Sequence, residues 1–290
     1  MKVGIYSHCT IDTIVYGDSI YEVPGGPACY CSLTARKQKF DVNLSTKYGA
    51  DFPLTEFLLE NNISIEDKLS SSNTTRFKII LNDSDRKLFI QNKCEPLEFI
   101  GEDNNGVIIS PVFDEITKEL LNKIKKSSDF VFLDPQGFLR DHNSENQVIL
   151  KETKLELDGI SAIKVSPDEL SALTGSNDTS ALLSLQKLGI ENVILTNKQN
   201  ISLLVKDKIY SIQLPNLELF DTTGIGDIFS ATFCCTMLRE KDFLWALSFA
   251  GGAAQAALEA KKIGIKKIPE KGAIENNGSY FYNMVKFRDI

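Results

Sequence analysis

Short apolar runs recur along the chain at residues 3–6, 107–109, 130–133, 162–165 and 193–195. Each is too short for a helix and rich in Val, Ile or Phe, a pattern that predicts strands buried on both faces of a sheet. Between them the apolar positions change to helical spacing. Residues 114–125 carry Ile116, Leu120, Leu121 and Ile124 on one face, and residues 178–188 carry Leu182, Leu185 and Leu188. Asp114 and Asp178 suit the N-cap position of these helices. Strands alternating with helices predict a mostly parallel sheet joined by right-handed crossovers, an α/β fold covered on both faces. The weakly polar stretch 243–258 is interrupted by Ser248 and Gln255. It is shorter than the ~20 residues of a membrane span, so it predicts a buried helix.

Two stretches break this rhythm. Residues 13–23 are β-rich, and residues 74–80 are expected to pair with 87–91 across a turn at 82–85. They predict a small sheet projecting from the α/β body, a candidate lid with strands at about 12–24 and 74–91. An ordinary edge hairpin is the alternative. With no repeat or low-complexity tract, residues 1–290 read as one domain.

Composition narrows the function. A net charge of −7 and a pI near 5.1 argue against general affinity for nucleic acid. Residues 1–12 mix polar and apolar positions without a signal-peptide core, so a soluble cytoplasmic protein with no membrane partner is expected. Six cysteines, none in C-x-x-C spacing, and two histidines leave little for a disulfide framework or a histidine-based centre. Plain buried thiols are the default, and a zinc site from His8, Cys9, Cys29 and Cys31 the weaker alternative.

The most informative segment is Asp221-Thr222-Thr223-Gly224-Ile225-Gly226-Asp227, which runs into the apolar helical stretch beginning at Ile228. A glycine-containing turn that opens a helix offers free backbone N–H groups and the positive end of the dipole to an anion. Asp227 falls in the first turn, beside that anion site. Phosphoryl transfer to an alcohol needs donors for the phosphoryl group and a base for the hydroxyl, and both occur here within one turn. A helix cap with a solvated aspartate is the bland alternative. No G-x-x-x-x-G-K-[ST] occurs, so a nucleotide is not held by a P-loop.

This segment resembles the C-terminal signature D-T-x-G-A-G-D of the ribokinase-like, or PfkB-type, carbohydrate kinases. Gly25-Gly26-Pro27-Ala28-Cys29-Tyr30 is similar to their G-G-x-x-x-N, Tyr48-Gly49-Ala50-Asp51-Phe52 to their G-x-D-x-x-G, and Ser166-Pro167-Asp168-Glu169 to their N-x-x-E. The four pieces come in the family's order and span most of the chain. The resemblance implies a ribokinase-like sandwich and transfer of the ATP γ-phosphate, with Asp227 as base and the backbone of Gly224, Ile225 and Gly226 in the anion hole. It also implies that Asp12, Gly25, Gly26 and Tyr30 meet the substrate, and that Thr196, Ser166 and Glu169 adjoin ATP. Glu169 would hold Mg²⁺ through water, and Asp221 and Thr223 fall where many members hold a monovalent cation such as K⁺. A homodimer through the β lid is a further expectation.

From the residues alone, Asp12 and Asp134 suit ligand sites because each follows a buried strand, and Glu169 suits the first turn of a helix. Four positions depart from the family pattern. Ile225 replaces a small residue, Tyr30 an Asn, Ser166 an Asn, and Thr196-Asn197-Lys198 lacks the usual glycine. Tyr30 and the run Lys93-Cys94-Glu95-Pro96 point to an inositol-kinase-type acceptor, with Tyr30 presenting an apolar wall to a ring. Ribose or a nucleoside is the runner-up acceptor, and a non-catalytic nucleotide or sugar sensor is the rival class.

Overall fold

Alternation along each inner strand decides what the two faces of the sheet meet. The structure, a computed structural model, describes residues 1–82, 85–101, 103–215 and 221–290. The first strands are β1 (Lys2–Tyr6), β2 (Thr10–Tyr16), β3 (Ser19–Gly25), β4 (Asp41–Ser45), β5 (Thr75–Asn82), β6 (Asp85–Asn92), β7 (Gly106–Ile109) and β8 (Val131–Leu133). Then come β9 (Arg140–His142), β10 (Val148–Leu150), β11 (Ala162–Val165), β12 (Asn192–Asn197), β13 (Asn200–Val205), β14 (Lys208–Gln213) and β15 (Lys286–Asp289). The main sheet has the order β15-β14-β13-β12-β11-β8-β7-β1-β4. It is parallel from β12 to β4 and antiparallel from β12 to β15.

Ile5, Ile108, Phe132, Ala162 and Ile194 enter one core, beneath helices Gly26–Lys37, Ile225–Glu240, Phe243–Glu259 and Lys271–Met284. Ile109, Val131, Leu133, Ile163 and Val193 enter the other, against helices Lys118–Ile124, Pro167–Thr174 and Thr179–Lys187. The period of two thus splits five apolar runs between two cores. All five predicted strands form, within two residues of the expected bounds.

Helix Phe243–Glu259 forms as expected, with Asp242 accepting from the N–H groups of Leu244 and Trp245. Asp178 caps its helix by accepting from Ala181 N–H (3.0 Å), whereas Leu188 falls past the helix end and is 55% exposed. Asp114 is not a cap. Its φ is +55°, and the helix starts later, where Thr117 Oγ1 accepts from Leu120 N–H (3.2 Å). The preceding loop is held instead by the buried Glu115 carboxylate, which accepts from the N–H groups of Val112 and Phe113.

The lid is a second sheet of order β3-β2-β5-β6, with β2 and β5 parallel and the other pairs antiparallel. The β-rich stretch near residues 12–24 is two strands, joined through Gly17 at φ +56°. Of the turn expected at 82–85, Asp83 and Ser84 lie outside the described residues. Asp51, from the third family-like motif, anchors the lid's root. Its Oδ1 accepts from Thr74 N–H (2.9 Å) and the Thr74 hydroxyl (2.7 Å), and its Oδ2 from Arg76 (2.9 Å).

All six cysteines are buried free thiols. The His8 ring lies 2.7 Å from Glu95 O through Nε2 and 2.9 Å from Thr75 Oγ1 through Nδ1. Both nitrogens are therefore engaged with the base of the lid. Among the described residues, no helix is long and apolar enough to cross a membrane.

Candidate active site

Parallel strands deliver their carboxyl ends, and the loops that follow, to one edge of the sheet. A cleft of about 190 Å³ opens there beneath the lid. From the body it is lined by Tyr30, Asp134, Lys164 and Asp227 with the backbone of Gly26, Gly224 and Gly226. From the lid sheet come Asp12 at its root and Phe77, Ile79 and Leu88, with Arg86 beside them.

Helix Ile225–Glu240 begins at the cleft. Its N-cap, Gly224, has φ +79°, and a Cβ there would collide with the Tyr30 ring, so glycine is required twice over. The Ile225 N–H turns to Thr222 O (3.3 Å) and closes the turn, and Ile225 packs against the core. Of the three expected anion-hole residues, Ile225 is therefore withdrawn. The N–H groups of Gly224, Gly226 and Asp227 have no backbone partner among the described residues.

Asp227 enters the cleft from the first turn of the helix. Burial, reinforced by the nearby Asp134 charge, pushes its pKa up to about 7, while Lys164 and Arg140 restrain the rise. A carboxylate in that range suits a general base near neutral pH. Asp134 directly follows β8 and pairs with the buried Lys164 (2.7 Å). Burial works against the Lys164 ammonium, but Asp134 and Glu169 outweigh it and hold its pKa above the ordinary value. A Cβ on Gly226 would lie 3.3 Å from Lys164 Nζ, so this cation stands at the mouth of the helix.

Asp12 lies within β2, 5% exposed, and its Oδ1 has no hydrogen-bond partner. Burial first, opposed by Thr10, Arg86 and Arg140, takes its pKa up to about 6. The Tyr30 hydroxyl is also buried without a partner. An unsatisfied buried polar atom costs ~1–3 kcal/mol, and three belong to residues that line this cleft: Asp12 Oδ1, Tyr30 Oη and Thr10 Oγ1. Gly25 leaves room for Asp12: a Cβ would approach Asp12 Oδ2 to 2.9 Å. Gly26, at φ +79°, passes beside His8 O.

The structure alters three expectations. The face of the Tyr30 ring lies against Gly224, so Tyr30 is a core residue offering its hydroxyl rather than an open apolar wall. Phe77, Ile79 and Leu88 of the lid supply that wall instead. The run at 93–96 follows β6 at the lid's root, with Lys93 paired to Asp114, and is not among the cleft-lining residues. Asp221 and Thr223, expected to hold a diffusible cation, bind the Lys267 ammonium, which donates to the Asp221 and Thr223 carbonyls.

Ser166 follows β11, Glu169 lies in the first turn of helix Pro167–Thr174 and Thr196 lies near the end of β12, all outside the cleft lining. Ser166 and Glu169 form a capping box: Ser166 N–H donates to Glu169 Oε2 (2.7 Å), and Glu169 N–H donates to Ser166 Oγ (3.3 Å). Thr196 Oγ1 donates to Val165 O (3.4 Å). Glu169 Oε2 is thus committed to the cap, and no hydrogen bond to Glu169 Oε1 occurs among the described residues.

Lys164, Arg140, Arg86 and Lys267 were not legible as site residues. Lys164 carried a signal, as a lone lysine inside an apolar strand. The others stand in ordinary polar surroundings in the sequence.

A sheet covered by helices on both faces, with an aspartate at a helix mouth beneath a β lid, defines the class of ribokinase-like sugar kinases. The chain belongs to the pfkB family of carbohydrate kinases, whose model matches residues 5–270. It is 28% identical over 182 residues to a ribokinase of Arabidopsis thaliana, covering 59% of this chain and 45% of that protein. A structure of Arabidopsis thaliana ribokinase complexed with ribose and ATP superposes with a TM-score of 0.76 at 18% identity, over 95% of this chain and 98% of the other. A pyrophosphate-dependent kinase in the ribokinase family, complexed with a pyrophosphate analog and myo-inositol, superposes with a TM-score of 0.79 at 20% identity, over 95% and 99%.

Proposed function

We propose that the protein transfers a phosphoryl group from Mg²⁺-bound ATP to a hydroxyl of a sugar or cyclic polyol, with residues 1–290 acting as one kinase domain. One observation carries this reading. Asp227, its pKa raised to about 7, faces the same small cleft as the unpartnered Asp12 Oδ1 and Tyr30 Oη, at a helix mouth with free N–H groups. Asp12 and Tyr30 bind and orient acceptor hydroxyls, Asp227 takes the proton of the attacking one, and the N–H groups of Gly224, Gly226 and Asp227 receive the transferring phosphoryl oxygens. ATP supplies the phosphoryl group, and Mg²⁺ neutralises its charge when bound near Glu169, Ser166 and Thr196.

The polar rim and the apolar lid face suit a cyclic polyol such as inositol, with ribose or a nucleoside as the alternative acceptor. Pyrophosphate is a second donor reading, favoured by Lys164: a buried ammonium at Gly226 provides a fixed charge for a small polyanion. We further propose a cytoplasmic setting and a homodimer through the lid, whose edge strand β3 exposes Ile20 and Tyr21. Turnover with ATP or pyrophosphate, against myo-inositol, ribose and nucleosides, with and without EDTA, tests the reading. Phosphorylation of none of them, or undiminished turnover in EDTA with ATP, refutes it.

A further inference from the structure

Lys267 ends the short 3-10 turn Gly264–Lys267 and is 1% exposed. Its Nζ donates to Asp221 O (2.8 Å), to Thr223 O (2.9 Å) and to the Asp221 carboxylate. The three protons of an ammonium thus have three oxygen acceptors. The carboxylate is fixed in turn, accepting from Thr223 N–H (2.9 Å) through Oδ1 and from Gly264 N–H (3.1 Å) through Oδ2. A salt bridge alone would need only the carboxylate. The two carbonyls belong to the turn that leads into the anion site.

A trans peptide unit is planar, with its C=O and N–H on opposite sides. Holding the Thr223 carbonyl on Lys267 therefore turns the Gly224 N–H the other way. Thr222, Thr223 and Gly224 line the cleft and Lys267 does not, so the other way is towards the cleft. Holding the Asp221 carbonyl orients the Thr222 N–H in the same manner. Burial pushes the Lys267 pKa down against the pull of Asp221, while Lys267 overcomes burial to hold Asp221 below the ordinary carboxylate value.

We propose that Lys267 is a positioning residue that acts as a built-in monovalent cation, holding the 221–224 backbone with its N–H groups towards the phosphoryl group, so that no dissolved cation is needed there. The proposal rests on the phosphotransfer reading of the cleft. Without the ammonium, a carboxylate and two carbonyls would remain buried and uncompensated, an oxygen set suited to K⁺ or NH₄⁺.

The test compares KCl, NH₄Cl and tetramethylammonium chloride at equal ionic strength, in the wild type and in Lys267→Met and Lys267→Ala. Turnover is read with ATP and with pyrophosphate on myo-inositol and ribose, and the thermal midpoint is read alongside. Wild-type turnover and midpoint should be the same in all three salts within about twofold and within error, respectively. In tetramethylammonium the variants should lose at least about a hundredfold in kcat with little change in acceptor KM, a loss of transition-state stabilisation alone. K⁺ or NH₄⁺ should restore at least about tenfold and raise the variants' midpoint but not the wild type's. Activation of the wild type by K⁺ overturns the proposal. So does a folded variant with full turnover in tetramethylammonium, or one whose defect and midpoint ignore K⁺ and NH₄⁺. If neither variant folds, the wild-type salt response decides. If the wild type phosphorylates nothing, the functional reading fails, and the midpoints still decide whether Lys267 occupies a cation site.

Discussion

Replacing Asp227 with Asn exchanges a buried carboxylate for a neutral amide of nearly the same shape. The folded pKa of Asp227 is raised from 3.8 to about 7, chiefly by burial. Between these values the folded state keeps a proton that the unfolded state loses, so the Asp227 contribution lowers stability as pH rises from about 4 to 7. At ~1.4 kcal/mol for each pKa unit the cost reaches at most ~4 kcal/mol above pH 7, and water in the open cleft reduces it to roughly 2–4. Asn escapes that cost. At about 2 °C or more per kcal/mol for a chain of this size, Asp227→Asn should melt ~4–8 °C higher than the wild type at pH 8, with the gap closing towards pH 4. The same substitution removes the base, so kcat should fall ~10²–10⁴-fold while ATP still binds. Scanning fluorimetry from pH 4 to 8.5, steady-state turnover and calorimetric ATP titration measure the three quantities. Near-wild-type turnover would falsify the role of Asp227 as base. A melting gap that does not widen with pH would show that its carboxylate is not the group under strain.

Because the base must be ionised, kcat/KM should rise with pH and reach half its maximum near 7; a flat profile from pH 5.5 to 8 contradicts the assignment. Lys164→Met leaves Asp134 buried without its partner, at a cost of ~3–5 kcal/mol. It also removes a charge that restrains the Asp227 pKa, so the acid limb of the pH profile should move to higher pH; a limb that stays or moves down refutes the coupling. Tyr30→Phe deletes an unpartnered hydroxyl, so stability should hold or rise while the acceptor KM increases roughly 3–10-fold and the ATP KM does not change. Tyr30→Ala also empties the space against Gly224 and should cost ~3–5 kcal/mol of stability. An acceptor KM unmoved by Tyr30→Phe removes the hydroxyl from acceptor binding.

Local signals in the chain were enough to define its class. Runs such as Ile163 and Val165 on one face with Ala162 on the other can only be satisfied between two apolar layers, so a doubly covered sheet was readable without coordinates. The glycine turn before Asp227 was readable for the same reason: conformational demand and charge are packed into seven consecutive residues. Strands β13 to β15 gave no comparable signal, being half-exposed hairpin strands and an exposed edge strand that depend on neighbours for their pairing.

Asp12 and Tyr30 could be nominated from the chain, but their part in the site depended on contacts across it. The hydroxyl of Tyr30 became available only because Gly224, nearly two hundred residues on, covers its ring face and nothing bonds its oxygen. Lys164, Arg140 and Lys267 meet carboxylates or carbonyls contributed by distant loops, and a lysine's reach leaves its partner undetermined until the backbone is in place. Asp221 shows the limit most sharply. The family resemblance marked it as a cation ligand, but local sequence carries no information about which cation, since the ammonium that fills the position enters from a turn more than forty residues away. Covalent order determined the turn and its aspartate; the packing of separate elements determined the charges that surround them.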